Sequence, residues 1–254
     1  MSDELLIERK DGVLVMTMNR PKARNALNGA LAQAIADAVD ELENDKTLTV
    51  GVLAGAGGNF CSGMDLKAFL TGETQVIGKR GLAGITTTPP SKPMIAAIEG
   101  YALAGGCEVA LACDMIVAST EAKFGLPETK RALVAGAGGL FRLPERIPYA
   151  IAMEYALTGA HFDAAKAHNW GLVNRLTEPG GALDGALALA AEIAANGPLA
   201  VRATKQIVAQ GLHWSAEERW KLQEELMRPV FKSSDAKEGA LAFAEKRAPV
   251  WKGE

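Results

Sequence analysis

Cysteine and histidine are scarce in this chain of 254 residues, which contains three of each. Cys61, Cys107 and Cys113 are an odd number without metal-ligand spacing, so the sequence predicts neither a disulfide framework nor a zinc site. The closest pair of histidines, His161 and His168, is seven positions apart and forms no metal constellation. We therefore expect no metal, and the reduced cysteines favour a cytoplasmic protein.

Dense clusters of positive charge and long uninterrupted apolar runs are also missing. The formal net charge is -3, and Lys and Arg are nowhere dense enough to indicate nucleic-acid or anionic-membrane binding. The most apolar stretch, residues 94–118, is interrupted by Glu99, Glu108 and Asp114, which argues against a membrane span. The first residues are acidic where a secretory signal peptide would be basic. We expect a protein that binds neither nucleic acid nor membranes.

Strand-like and helix-like segments alternate in the first part of the chain. A chain of this length can bury roughly 70% of the surface that it exposes when unfolded, so a sizeable core is available. The strand predictions are residues 12–20, 49–57, 92–102 and 114–119, and the helix predictions are residues 28–46, 64–70 and 107–113. This alternation predicts α/β architecture with largely parallel strands.

The composition changes at about Ala182, after which the pattern is helical. Successive helices are predicted over residues 182–198, 198–212, 215–231 and 235–247. Asp235 and Glu238 have the spacing of a helix-capping pair. We predict a catalytic core of residues 1–181 and a helical carboxy-terminal region of residues 182–254, with no flexible linker between them.

Two segments share the layout of an apolar strand, a glycine-containing loop and a helix start. They are residues 51–66 and 95–109. A helix amino terminus presents unpaired N–H groups, and glycine lets a ligand approach the backbone closely. Either loop by itself could simply be a tight turn, because tight turns commonly need glycine. Together they could present two N–H donors to one oxygen, which is the construction of an oxyanion hole.

Glu108 and Glu128 are the candidate acid/base residues. Glu108 lies in the most apolar stretch, where a carboxylate is costly unless it is paired or hydrogen-bonded. Glu128 follows Pro127 and is 128 − 108 = 20 positions further along. Taken singly, the first could be a partly exposed helix-start residue and the second a loop carboxylate. The segment between the two residues is long enough for the chain to fold back after the helix that carries Glu108, so the two carboxylates can lie close together.

Seven motifs in this chain resemble the enoyl-CoA hydratase/isomerase (crotonase) superfamily and appear in family order. They are NRPKARNALN, FCSGMDL, GYALAGGCEVALACD, FGLPE, GAGGLFRLP, ALTG followed by GLVN, and the terminal EGALAFAEKR. The resemblance covers essentially the whole chain. It implies a spiral of ββα repeats with a helical carboxy-terminal region that builds homotrimers, commonly stacked as hexamers.

The resemblance also implies roles for individual residues. The backbone N–H groups of Met64 and Gly105 match the donors to an acyl-CoA thioester oxygen. Glu108 and Glu128 match the two catalytic glutamates of the hydratases, and we assign Glu108 as the base and Glu128 as the acid. The backbone of Gly136 matches the glycine that helps to hold the reacting water. The implied reaction is the reversible hydration of a trans-2-enoyl-CoA to a 3-hydroxyacyl-CoA.

The same resemblance implies where coenzyme A binds. The segment that includes Ala23, Arg24 and Ala26 matches the one that follows the nucleotide and pyrophosphate. Phe243 and Lys246 match a terminal pair that contacts coenzyme A, often from a neighbouring subunit. Other expected contacts are Ser62, Asp65, Leu66, Lys67 and Leu103. A solvated face explains Lys67 and Lys246 equally well. Coenzyme A is part of the substrate, so no separate cofactor is implied.

The chain departs from the hydratase pattern near the expected acyl pocket. Ala135, Leu140 and Phe141 stand where many hydratases have Pro, Thr and Gln, and Met64 stands where alanine is common. These changes leave both glutamates in place but resize the pocket, and FGLPE together with GGLFRLP resembles the carnitinyl-CoA dehydratase branch. A double-bond isomerase, a carnitinyl-CoA dehydratase-like lyase and an acyl-CoA-binding protein with little turnover remain alternatives.

Unrelated enzyme classes fit the sequence less well. Gly55, Gly57 and Gly58 follow a strand, but Phe60 occupies the place of the third glycine of a dinucleotide-binding motif. Ser62 lacks the leading glycine of a nucleophile elbow. Cys107 has no histidine nearby in sequence to act as a base, so we interpret it as a small packed residue.

Overall fold

Two β-sheets, ten α-helices and three short 3-10 helices make up the computed structural model, which describes residues 3–254. The strands are β1 (Leu5–Lys10), β2 (Val13–Met18), β3 (Val50–Gly55), β4 (Met94–Ile98), β5 (Tyr101–Leu103), β6 (Met115–Ser119), β7 (Lys123–Gly125), β8 (Phe162–Asp163) and β9 (Arg175–Thr177). The helices are α1 (Gly29–Asn44), α2 (Leu66–Leu70), α3 (Gly105–Ala112), α4 (Gly139–Arg146), α5 (Tyr149–Thr158), α6 (Ala164–Asn169), α7 (Ala182–Ala194), α8 (Pro198–Gly211), α9 (Arg219–Lys232) and α10 (Ser234–Glu245). No helix within residues 3–254 is both long and apolar enough to cross a membrane.

The larger sheet has six strands in the order β1-β2-β3-β4-β6-β9. Only the β1–β2 pair is antiparallel, and the four other pairs are parallel. The smaller sheet has the order β5-β7-β8, with β5 and β7 parallel. The predicted α/β architecture with largely parallel strands is therefore confirmed.

Both faces of the larger sheet are buried. Leu14 and Leu53 belong to the main core cluster, which also contains residues of α1 such as Ile35. Val15 and Val52 belong to a second cluster on the other side, together with four residues of α7. A parallel sheet covered on both faces needs apolar residues at successive positions, which explains the near-continuous apolar runs in β2, β3 and β4.

The prediction of one strand over residues 92–102 is wrong. The chain forms β4, turns at Glu99 and Gly100, and then enters the smaller sheet as β5. Gly100 has φ +51°, and a Cβ there would lie 2.3 Å from the Gly58 carbonyl oxygen. Because only glycine fits this turn, the apolar run is divided between two sheets. The Glu99 carboxylate accepts a hydrogen bond from the Ala182 N–H at 2.9 Å, which fixes the start of α7.

The four helices predicted after Ala182 are confirmed as α7 to α10. Helix α7 packs against the larger sheet, whereas none of the described residues of α8 or α9 is buried. The division of the chain at this point stays a prediction, and the packing of α7 ties the start of the helical region to the core.

The predicted capping pair at α10 is wrong. The Ser233 hydroxyl caps this helix by accepting a hydrogen bond from the Ala236 N–H at 3.0 Å. Asp235 lies inside the first turn and accepts hydrogen bonds from the N–H groups of Lys252 and Gly253 at 2.7 and 2.9 Å. Asp235 therefore anchors the carboxy-terminal segment instead of capping the helix.

Candidate active site

Helix α3 brings Glu108 into the interior. All eight residues of α3 are buried, and Glu108 is only 3% exposed. A Cβ on Gly106 would lie 2.3 Å from the Cys61 carbonyl oxygen, so α3 packs directly against the backbone of the preceding loop. The glycines at the start of α3 thus allow the helix to sit deep enough to bury its first-turn carboxylate.

Two backbone N–H groups hold the Glu108 carboxylate. Ala137 and Gly139 both donate to Oε1, at 2.6 and 2.9 Å. Gly139 is the first residue of α4, so the carboxylate also lies at a helix amino terminus, where negative charge is favoured. Burial raises the pKa of Glu108 above the ordinary glutamate value, while the two N–H donors and the positive charge of Arg142 oppose that rise.

Glu128 lies in a short 3-10 helix over Pro127–Arg131 and is partly buried. Its Oε2 atom is buried and accepts no hydrogen bond from any described residue. Burial raises the pKa of Glu128, and electrostatic repulsion from Glu108 raises it further. The structure therefore brings the two glutamates near each other and gives them different surroundings, one carboxylate held by N–H donors and the other with an unpartnered oxygen.

Met64 and Gly105 lie side by side, and Gly105 begins the helix that carries Glu108. A Cβ on Gly63 would lie 3.4 Å from the Gly105 nitrogen, and a Cβ on Gly105 would lie 3.7 Å from the Met64 nitrogen. Within residues 3–254, neither nitrogen donates a hydrogen bond to another protein atom. Two adjacent amide groups without acceptors are the arrangement that stabilises negative charge on a carbonyl oxygen.

The backbone is strained at Ala104, immediately before Gly105. Its φ of 50° and ψ of -130° lie in a region that residues with a Cβ rarely adopt. The residue is held there because its N–H bonds to the Gly125 carbonyl while its own carbonyl accepts from the Glu108 N–H. Such strain costs of order 1–3 kcal/mol.

We predict that Ala104→Gly stabilises the protein by about 1 kcal/mol, because relief of strain exceeds the added freedom of the unfolded chain. Thermal denaturation should show a midpoint higher by roughly 2–4 °C. Ala188→Gly is the matched control, since Ala188 is exposed within α7 and its replacement should cost about 1 kcal/mol. A fall in the midpoint of Ala104→Gly equal to that of the control would contradict this account.

An apolar cavity of about 360 Å³ opens beside Glu128. Its walls come from the segment around Leu126, from α4 and from α5. Ala135 and Leu140, two of the positions that depart from the hydratase pattern, line it. Phe141 is 60% exposed instead, with the Arg142 guanidinium 5.3 Å from its ring centre. Leu140 and Ala135 therefore shape this cavity.

Three of the residues expected to bind coenzyme A, which are Ala23, Arg24 and Ser62, form one surface next to Met64. The Ser62 N–H donates to the Arg24 carbonyl at 3.0 Å, and the Ser62 hydroxyl donates to the Ala23 carbonyl at 3.4 Å. The Arg24 guanidinium lies 5.4 Å from the centre of the Tyr101 ring. Leu66 and Lys67 are exposed at the start of α2.

Three of the expected contacts have structural roles as well. Asp65 caps α2 by accepting from the Lys67 N–H at 3.0 Å, and it pairs with Arg20 at 2.9 Å. The hydrogen bond from Arg20 holds the pKa of Asp65 below its usual value. Ala26 is buried, and the Leu103 N–H donates to the Cys61 carbonyl.

Phe243 and Lys246 lie at the end of helix α10. Phe243 is 87% exposed near the end of α10, and Lys246 follows the helix with a left-handed backbone conformation. In the described part of this chain, no hydrogen bond or ion pair joins either residue to the surface around Ser62. A contact with coenzyme A by these two residues therefore stays a prediction.

The amino-acid sequence alone did not indicate which groups donate hydrogen bonds to the Glu108 carboxylate. These are the N–H groups of Ala137 and Gly139. Arg142, whose positive charge favours ionised Glu108, donates to the carbonyl oxygens of Ala137 and Thr86. Gly136 was predicted to hold the reacting water, and it lies exposed in the same loop. The glycine run GAGG just before a helix was the available signal for these donors.

Cys107 is 1% exposed, and burial raises the pKa of its thiol to about 12, so it is a packed residue and not an available nucleophile. No group of histidine, cysteine and acidic residues that could hold a metal ion occurs within residues 3–254.

The fold and the site define an α/β enzyme that combines two carboxylates with a pair of amide donors. A family model described as enoyl-CoA hydratase/isomerase matches residues 8–254. The chain belongs to this family and has its crotonase fold.

Relatives and solved structures agree with this assignment. Enoyl-CoA hydratase EchA19 of Mycobacterium tuberculosis is 42% identical, over 97% of this chain and 95% of that protein. Carnitinyl-CoA dehydratase of Proteus mirabilis is also 42% identical, over the full length of both. A crystal structure of an enoyl-CoA hydratase from M. tuberculosis H37Rv superposes with a TM-score of 0.98 at 58% identity, covering both chains completely.

Proposed function

We propose that this enzyme hydrates trans-2-enoyl-CoA thioesters to 3-hydroxyacyl-CoA in a reversible reaction. The observation that carries the proposal is that Glu108 and Glu128 lie near each other and that Glu108 shares its helix with Gly105, whose amide group and that of Met64 donate to no protein atom within residues 3–254. An enoyl thioester needs a base for water, an acid for its α-carbon and donors for its carbonyl oxygen. The site supplies each of these from the chain itself.

In the proposed reaction, the carboxylate of Glu108 takes a proton from water as the water oxygen bonds to the β-carbon. The electron pair of the carbon–carbon double bond moves toward the thioester, whose oxygen gains negative charge. The N–H groups of Met64 and Gly105 stabilise this charge, at roughly 3–4 kcal/mol per donor. The carboxylic acid of Glu128 then gives its proton to the α-carbon. The Gly136 backbone helps to position the water.

The raised pKa of Glu128 supports its role as the acid, because a carboxyl group can donate a proton only while protonated. The N–H donors to Glu108 support its role as the base, since they favour its ionised form.

The enzyme takes coenzyme A as part of the substrate, and this reaction needs no separate cofactor. We place the coenzyme A chain along Ala23, Arg24 and Ser62, and the remaining predicted contacts flank that path.

We further propose that the enzyme assembles as a homotrimer or a dimer of trimers. Large apolar side chains on α8 to α10 are exposed in the single chain, including Val208 at 68% and Trp220 at 72%. Their burial in an assembly would bring Phe243 and Lys246 to a neighbouring subunit's coenzyme A. Light scattering should give three or six times the chain mass of 26.7 kDa.

The three buried thiols favour a cytoplasmic location.

The test is to mix purified enzyme with trans-2-enoyl-CoA and follow loss of the conjugated thioester absorbance, with mass spectrometry of the product. An added mass of one water supports hydration. An unchanged mass with a shifted double bond would support an isomerase, and selective turnover of carnitinyl-CoA would support the dehydratase alternative, for which the Proteus relative is the specific observation. Tight binding without turnover would make the chain an acyl-CoA-binding protein.

A further inference from the structure

Arg142 lies where a positive charge is costly for the fold. It is half-buried in the first turn of α4, although the partial positive charge of a helix amino terminus favours negative groups. Burial lowers the pKa of Arg142 from its ordinary value, because the guanidinium loses contact with water there. The stability of α4 alone gives no reason for an arginine at this position, so the reason lies in what the guanidinium contacts.

One arm of the guanidinium holds the loop that carries the donors to Glu108. Its Nη1 atom donates to the Ala137 carbonyl at 3.3 Å, and the N–H of the same Ala137 donates to the Glu108 carboxylate. The guanidinium also lies directly against Gly138, where a Cβ would be 2.2 Å from Nη1. Gly138 separates the two donor residues, Ala137 and Gly139. Arg142 therefore packs on the middle of the short loop that binds the carboxylate.

The other arm of the guanidinium bonds to the segment that packs on Gly105. Its Nη2 atom donates to the Thr86 carbonyl. Thr86 is buried, and its hydroxyl accepts a hydrogen bond from the Leu82 N–H at 2.8 Å. Leu82 in turn covers Gly105, since a Cβ on Gly105 would lie 2.9 Å from a Leu82 methyl carbon. Arg142 thus connects the loop that binds Glu108 with the turn beside a proposed donor to the thioester oxygen.

We propose that Arg142 is a positioning residue, which fixes the Glu108 loop relative to Gly105 and places a positive charge near that carboxylate. This inference rests on the proposed function, since it concerns the base of that reaction. In the described part of the chain, the titratable groups that face Glu108 are Glu128, Arg142 and the Cys107 thiol. Of these, only Arg142 lowers the pKa of Glu108, against the effect of burial. Its charge therefore favours the ionised form that a base requires.

Two substitutions separate the charge of Arg142 from its hydrogen bonds. Arg142→Gln removes the charge, so the acidic limb of kcat/KM should move upward by roughly half a pH unit to one unit. In the same variant, kcat at pH 7 should fall by about tenfold or more while KM stays within about threefold, because the base is less well placed. Arg142→Lys keeps the charge but lacks the fork that reaches two carbonyls, so the limb should stay in place while kcat falls by about threefold to tenfold.

Arg146→Gln is the matched control. Arg146 is half-buried on the same helix, one turn further along, and donates to the Cys113 carbonyl at 2.9 Å instead of to the Glu108 loop. This variant should leave the acidic limb in place and kcat within about twofold of the unmodified enzyme. Equal losses of kcat in Arg142→Gln and Arg146→Gln would make Arg142 a purely structural residue and overturn the inference.

A measurement without turnover separates this inference from the proposed reaction. Infrared difference spectra recorded across a pH series report the protonation of Glu108, whose band is identified by its loss in Glu108→Gln. The band should titrate at higher pH in Arg142→Gln and stay in place in Arg142→Lys and Arg146→Gln. That result supports the inference even if no substrate is hydrated and the proposed function fails. An unmoved band in Arg142→Gln overturns it. If Arg142→Gln does not fold, a lower kcat in Arg142→Lys than in Arg146→Lys supports the inference, and equal values overturn it.

Discussion

Glu128→Gln is expected to lower kcat for hydration by about 100-fold to 10,000-fold, with a small change in KM, because the amide cannot supply a proton to the α-carbon. The variant should also lose the exchange of an α-proton of a saturated acyl-CoA with deuterated solvent, which NMR measures directly.

Glu154→Gln is the control, since Glu154 is an exposed glutamate on α5 outside the cavity lining. Both variants should unfold at the temperature of the unmodified enzyme or above it. Glu128 is partly buried with a raised pKa, so its ionised form opposes folding above that pKa, and a neutral amide removes this opposition. Hydration and α-proton exchange that both survive in Glu128→Gln would exclude this residue as the acid.

Glu108→Gln is expected to lower kcat by a similar factor, about 100-fold to 10,000-fold, but to retain α-proton exchange. An amide cannot take the proton from water, although its oxygen can still accept the N–H groups of Ala137 and Gly139. The single effects should not add in the double variant, because the two groups act on one reaction. Loss of exchange in Glu108→Gln, with retention in Glu128→Gln, would reverse the two roles.

The pH dependence follows from the raised pKa of Glu108. A base works only when ionised, so the acidic limb of kcat/KM should lie above the ordinary glutamate value of 4.5. The stability of the fold changes with pH in the opposite direction to the activity. A carboxyl group whose pKa is raised on folding favours the folded state below its unfolded pKa and loses that contribution as the pH rises. Glu108→Gln should therefore be at least as stable as the unmodified enzyme at pH 7, with the difference vanishing below pH 4.

Much of the sheet and the carboxylate pair could be predicted from sequence because their signals are local. The apolar runs of β2, β3 and β6 fall within the predicted strands, and α3 begins at the predicted glycine loop. The strands β7, β8 and β9, of two or three residues, form only because partners from elsewhere in the chain pair with them. No periodicity can indicate such short elements.

The sequence by itself determined the α/β class, the two candidate glutamates and the glycine loops, since each depends on residue type over a few neighbouring positions. Only the tertiary structure decided what surrounds them. It turned the chain at Gly100 into a second sheet, supplied Ala137 and Gly139 as donors to Glu108, and left Glu128 with an unpartnered oxygen at an apolar cavity. These features join residues about 30 positions or more apart, and packing in three dimensions is what brings them together.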